Sequence, residues 1–171
     1  KRIVNFCGSA IQRQIDSFAL SPEGEAPIIL NYLSDTTHRR NKLKHQVNLL
    51  LAEGVAPSGI AILSPYSNNN EECSFSGIEN INGIPLANVD EHLIEWCENK
   101  KIWASTIKSF KGLEADCVIL TDISDYDPDS QYFGNEDLYV ALTRAKHRLI
   151  ILPATEGAHK KLNDWLSDST N

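Results

Sequence analysis

The sequence contains no methionine and only four cysteines in 171 residues. Cys7, Cys73, Cys97 and Cys117 stand far apart, with no C-x-x-C pair and no histidine at metal-ligand spacing. That excludes a zinc-knuckle or disulfide framework as the organising principle, and no metal site is expected. Cys117 lies inside an apolar run, where a free thiol behaves as a small hydrophobe. A reducing, cytoplasmic compartment is the simplest reading. No apolar run reaches the roughly 18 residues that a membrane-spanning helix needs, so no membrane association is expected. The opening Lys1–Phe6 leads into a polar mixture rather than a signal-peptide core. Without an initiator methionine, and beginning in what reads as the middle of a helix, residues 1–171 are expected to be one domain cut from a longer protein. There is no internal repeat and no low-complexity stretch.

Positive charge is also missing from the middle of the chain. Residues 46–99 hold eight acidic and no basic side chains, whereas residues 1–45 hold seven basic and four acidic ones. Residues 100–171 hold nine basic and eleven acidic. A net charge of −7 argues against non-specific coating of nucleic acid. Any phosphate-binding surface must therefore be local and drawn from the two ends of the chain. The acidic middle is a solvated face or the surface for another partner.

What is present is a composition of 42% hydrophobic and 23% charged residues, that of an ordinary soluble globular domain. Apolar runs alternate with helical patterns. Pro27–Leu33 and Gly59–Ser64 read as strands, separated by a helix from Thr37 to Glu53 that places Leu43, Val47, Leu50 and Leu51 on one face and stops at Gly54. Residues 66–83 read as a loop. A brief strand at Ile84–Ala87 precedes a helix capped by Asp90 and running through Cys97. Lys101–Thr106 is extended. Cys117–Thr121 is the continuous β-branched run of a central parallel strand covered on both faces. An acidic loop at 123–134 leads to an Asn135 cap and a helix Glu136–His147, whose terminal Lys146, His147 and Arg148 suit the macrodipole. Arg148–Leu152 returns as a strand, and a helix around Ala158–Leu166 closes the chain. Strands alternating with helices predict an α/β domain of about five or six mostly parallel strands. Ligands in such sheets sit at the carboxyl ends of strands. That rule singles out the loop after Thr106 and the helix that follows the 117–121 strand.

Two segments stand apart from generic α/β sequence. The first runs Thr106-Ile107-Lys108-Ser109-Phe110-Lys111-Gly112-Leu113-Glu114. It gathers two lysines, two hydroxyls and a carboxylate around Gly112, which permits either a positive φ or a close backbone approach. Lysine, hydroxyl and amide groups suit phosphate, and Glu114 can accept from a ribose hydroxyl. Solvated lysines in an ordinary strand connection would give the same composition. The second runs Leu138-Tyr139-Val140-Ala141-Leu142-Thr143-Arg144-Ala145-Lys146. Leu138, Leu142 and Ala145 form an inward stripe and Arg144 falls off it. A planar, permanently charged guanidinium on a packed helix is a good phosphate donor, although a surface ion pair is the commoner use of such a residue.

Together, in this order and spacing, the two segments resemble motifs V and VI of the UvrD/Rep-like superfamily 1 helicases, whose patterns are T-x-H-x-x-K-G-L-E and Y-V-A-L-T-R-A-K. The strands and helices upstream follow the family's second RecA-like domain in order, and Lys1–Ala10 resembles the helix after its motif IV. The resemblance implies a three-layer RecA-like, P-loop NTPase-like domain without its own P-loop, since no G-x-x-x-x-G-K-[ST] occurs. It implies the C-terminal motor domain of an ATP-dependent DNA helicase or translocase. ATP and Mg²⁺ would be held mainly by a preceding P-loop domain, and this chain alone would be inactive. By position, Arg144 becomes an arginine finger toward the γ-phosphate, supported by Thr143. Gly112 and Glu114 fall on the nucleotide side, and Thr106, Lys108 and Ser109 contact single-stranded DNA. Lys108 stands where the family has histidine; it can meet a phosphate but cannot accept a hydrogen bond. Asp122 ends an apolar strand, as a Mg²⁺-binding aspartate does, but without a phosphate loop it reads as a strand-end or cap residue.

Two other readings remain open. One is a catalytically inactive helicase-like binding or assembly module, using the acidic 46–99 face for its partner. The other is a flavodoxin-like regulatory domain, which would leave the joint occurrence of the two segments unexplained.

Overall fold

A computed structural model describes residues 2–11, 25–87, 93–98, 100–124 and 134–169. The expected Asp90 cap and most of the acidic 123–134 loop lie outside them. In chain order the elements are α1 (Arg2–Ile11), β1 (Ile28–Ile29), α2 (Thr36–Ala52), β2 (Ile60–Ser64), β3 (Asn80–Ile81), β4 (Ile84–Ala87), α3 (Leu93–Cys97), β5 (Ile102–Thr106), β6 (Ala115–Ile123), α4 (Asn135–Thr143), β7 (Ala145–Pro153) and α5 (Glu156–Asp168). Among the described residues the sheet has seven strands, in the order β1-β7-β6-β2-β5-β4-β3. Every pairing is parallel except the β3–β4 hairpin. This is more strands than expected. The Pro27–Leu33 strand contracts to two residues, and the 66–83 loop contributes β3 through a turn at Asn82-Gly83, both at positive φ.

The three layers follow from the strict alternation of a doubly covered sheet. On β2, β6 and β7, Ala61, Leu63, Val118, Leu120, Leu149 and Ile151 face one core. There they meet Phe6 and Ala10 of α1, Leu138 and Leu142 of α4, and Leu162 and Trp165 of α5. Ile60, Ile62, Cys117, Ile119, Ile150 and Leu152 face the other, against Leu43, Val47 and Leu50 of α2. Each such valine, leucine or isoleucine contributes about 1.5–3 kcal/mol on burial, an upper figure given a compact unfolded chain.

Local chemistry sets the helix ends. Asp35 caps α2 by accepting the His38 amide at 2.8 Å. Gly54 ends it at φ +88, with the Val55 and Gly54 amides returning to the Leu50 and Leu51 carbonyls as in a Schellman turn.

α4 departs from expectation at both ends. Its cap is Gly134, whose amide donates to the Asp137 carboxylate at 3.4 Å, so Asn135 is the first helical residue. It stops at Thr143 rather than His147 because Ala145 is already paired with Ala115 of β6. Sheet pairing overrides the helical pattern, and Arg148 faces Cys117 from within β7.

Candidate functional site

The first distinctive segment is a crossover. β5 and β6 flank β2 in parallel, so residues 107–114 must descend from the carboxyl end of the sheet at Thr106 to its amino end at Ala115. The chain does this in a short 3-10 turn, Lys108–Phe110, pinned to the core by two buried side chains, Ile107 and Phe110. The Phe110 ring lies 5.9 Å from that of Trp103, which in turn is 4.9 Å from Trp96. Gly112 has φ +90, and a Cβ there would meet nothing within 4 Å. The glycine is needed for its backbone conformation and not for close approach.

At the carboxyl end, Thr106 Oγ1 donates to Ser109 Oγ at 2.8 Å and accepts the Ser109 amide at 3.1 Å, closing a hydroxyl-bridged turn. Lys108 is exposed, and its ammonium lies 3.7 Å from the Asp137 carboxylate at the start of α4. An open pocket of about 290 Å³ is lined by Lys108, Lys111, Asp137 and Val140. The three residues expected to meet DNA are thus neighbours on one edge.

At the amino end, the second segment meets the first. The Ala115 amide donates to the Arg144 carbonyl at 3.1 Å. Arg144, half-buried at the C-cap of α4, donates from Nε to the Val140 carbonyl at 3.1 Å. One terminal nitrogen donates to Thr143 Oγ1 at 3.3 Å and the other approaches the Leu113 carbonyl at 3.5 Å. Thr143 Oγ1 donates to the Tyr139 carbonyl at 2.8 Å. Gly112 and the exposed Glu114 lie in the same stretch. Carboxyl-end reasoning therefore finds Thr106 and the start of α4 but not Arg144, which the nine residues of α4 carry to the opposite end. From its first residue to its C-cap α4 is roughly 13 Å long, although the Arg144 side chain turns back along it to the carbonyl of Val140, which lines the pocket beside Lys108.

Sequence reading missed a third cluster at the carboxyl ends of β2 and β6. Asp122 is fully buried at φ +64, a conformation a non-glycine residue rarely adopts. It accepts from Arg39 Nε at 3.0 Å, Ser64 Oγ at 2.8 Å, the Ser74 amide at 3.0 Å and Ser74 Oγ. Arg39, itself 1% exposed, spends its other nitrogens on the Leu33 and Ser34 carbonyls, Thr36 Oγ1 and Glu72. With its oxygens so occupied, Asp122 does not suit a metal ion. Among the described residues no group of histidine, cysteine, aspartate and glutamate is placed to hold one. Burial and the nearby Asp122 charge push the adjacent Cys73 thiol up to about 11, with hydrogen bonds only partly opposing. Arg39 was not legible because nothing marks one arginine among the basic residues of an amphipathic helix as the buried one.

At the amino end of the sheet, Arg148 holds Glu25 through two hydrogen bonds of 2.6 and 2.9 Å and also Glu53. These bonds hold the Glu25 carboxyl below its usual range and push the Arg148 guanidinium up.

These features define a three-layer α/β domain built on a mostly parallel sheet. Residues 101–152 match the sequence model of the family described as the UvrD-like helicase C-terminal domain, a span that holds both distinctive segments. The resemblance to UvrD-like helicases is thereby shown over that stretch. In fold the chain is similar to the C-terminal domain of a possible DNA helicase from Lactobacillus plantarum WCFS1, at 16% identity. The match covers 97% of this chain and 93% of that one, with a TM-score of 0.66. No curated protein matches the chain. No helix among the described residues is long and apolar enough to cross a membrane.

Proposed function

We propose that the chain is the C-terminal motor domain of an ATP-dependent DNA helicase or translocase, working with an N-terminal P-loop domain of the same protein. The observation that carries this reading is the division of the two segments between the ends of α4. Thr106, Lys108 and Ser109 cluster at one end, and Gly112, Glu114, Thr143 and Arg144 at the other. A motor needs this arrangement, with a strand-contacting loop and a nucleotide-contacting arginine on one rigid body.

In this reading ATP lies between the two domains, with Arg144 turned to its γ-phosphate and Glu114 beside it. To reach out, the guanidinium must leave the Val140 and Leu113 carbonyls and Thr143 Oγ1 for a phosphate, a stronger, charge-assisted acceptor. Thr143 lies within reach to steady it. Mg²⁺ would be held by residues of the P-loop domain, where it neutralises phosphate charge. Thr106, Lys108 and Ser109 would contact the single-strand backbone, so binding should be sequence-tolerant and salt-sensitive. Domain closure on ATP would then move this loop relative to its partner domain and advance the strand.

The test is ATP hydrolysis by the whole protein with and without a single-stranded oligonucleotide. Strong stimulation by the oligonucleotide, with no hydrolysis by this chain alone, supports the motor. A whole protein that never hydrolyses ATP, with DNA or RNA, makes the domain a binding or assembly module instead.

A further inference from the structure

We propose that the buried Asp122 carboxylate, acting through Ser64, is a positioning group for the Thr106–Ser109 loop and so for its contact with single-stranded nucleic acid. This rests on the reading of that loop as the strand-contacting edge.

Ser64 is the last residue of β2 and joins three things at one point. Its hydroxyl donates to Asp122 Oδ2 at 2.8 Å and accepts the Tyr66 amide at 3.1 Å. Its carbonyl accepts the Ile107 amide at 3.0 Å, and the residue stands in register with Thr106. The crossover is thus suspended between two backbone bonds, Ile107 to Ser64 at its start and Ala115 to Arg144 at its end. Only the first is tied to a buried charge. Asp122 fixes the Ser64 rotamer, and Ser64 fixes where Ile107 begins its turn.

The cost of the arrangement indicates that it serves position more than stability. A left-handed conformation at a residue with a Cβ is strained, and Asp122 holds one at φ +64. A buried ion pair contributes little net stability compared with apolar side chains of similar volume. β2 and β6 are already joined in register over Ile60–Leu63, all four of them buried. The Asp122 cluster adds a fixed geometry at the strand ends, with Arg39 of α2 and Ser74 bound to the same carboxylate. Strain of this kind persists where the surroundings over-determine it, and it concentrates at functional sites.

The experiment compares four forms of the whole protein: wild type, Ser64→Ala, Lys108→Ala and Arg148→Met. The last breaks an ion-pair cluster at the opposite end of the sheet and controls for general destabilisation. Hydrogen exchange of the peptide spanning Thr106–Phe110 and the Kd for an oligo-dT probe are measured well below the melting temperature. Ser64→Ala is expected to speed exchange in that peptide and weaken binding roughly three- to tenfold, the effect of one lost hydrogen bond. Arg148→Met should change neither. Should Ser64→Ala not fold, Ser64→Cys, close in size but a weak donor, is read in its place. Unchanged affinity in the Ser64 variant beside weakened binding in Lys108→Ala overturns the positioning role and leaves the strand-contacting loop standing. Equal weakening by the Ser64 and Arg148 variants also overturns it. Absence of oligonucleotide binding by the wild type overturns both readings together.

Discussion

Arg39 Nε lies 3.0 Å from Asp122 Oδ1, with one side chain 1% exposed and the other fully buried, joining α2 to the end of β6 across 83 residues of sequence. Removing one partner leaves the other charge buried without compensation, which typically costs about 3–5 kcal/mol. Arg39→Met is expected to lower unfolding free energy by an amount of that order in denaturant titrations. Combining it with Asp122→Gly, which also relieves the positive φ, is expected to recover part of the loss. A double variant less stable than the single one would contradict this account.

Gly112 turns the crossover at φ +90 with open space where a side chain would sit. Gly112→Ala should therefore cost about 1–2 kcal/mol through backbone strain alone. A deletion of the whole glycine, by contrast, shortens the crossover and should disturb the core contacts of Ile107 and Phe110. Thermal unfolding of the alanine variant checks the figure, and an unchanged melting temperature would show that the loop has another way to turn.

Three of the four thiols are buried, and Cys97 is exposed. Burial pushes Cys7 up to about 12 and Cys73 up to about 11, and raises Cys117 as well. The thiolate is the reactive form, so these three should be inert at neutral pH. Within this chain, labelling with a thiol reagent is expected to modify Cys97 quickly and the others only on unfolding. Rapid modification of Cys7 would contradict the packing of α1.

Acid should weaken the amino end of the sheet. The hydrogen bonds from Arg148 hold the Glu25 carboxyl below 4.5, outweighing the opposing effect of burial. The folded protein therefore binds fewer protons here than the unfolded chain. Its stabilisation is present above about that pH and is lost as pH falls through the lowered folded value. Melting temperatures between pH 6 and pH 3 should fall less steeply in Arg148→Met than in the wild type. Parallel curves would show that this cluster contributes nothing.

Much of the architecture was legible because burial on both faces of a parallel sheet writes itself as apolar runs. Cys117–Thr121 is the interior of β6, and the Leu43, Val47 and Leu50 stripe is the buried face of α2. Gly54 marked a helix end through its backbone freedom. The hairpin at Asn82-Gly83 and the Gly134 cap were missed on local grounds, whereas three larger failures share one cause, competition from partners distant in sequence. Ala145 to Arg148 continue a helical pattern with favourable end charges, yet β6 captures them as strand. Thr106 and Arg144 were each marked by local chemistry, but their placement at opposite ends of α4 depends on a crossover whose direction no local pattern reveals. The Arg39–Asp122 pair was invisible for the same reason, since its meaning lies in a contact 83 residues long.

The central claim concerns Arg144, and the most direct measurement is oligonucleotide-stimulated ATPase activity of the whole protein, wild type beside Arg144→Ala, with nucleotide affinity measured in parallel. An arginine finger is worth roughly 10³–10⁵ in kcat. The expected result is a fall of about a thousandfold or more, or about 4 kcal/mol, with nucleotide binding largely kept. A variant that hydrolyses ATP as fast as the wild type would contradict the assignment of Arg144 to the γ-phosphate.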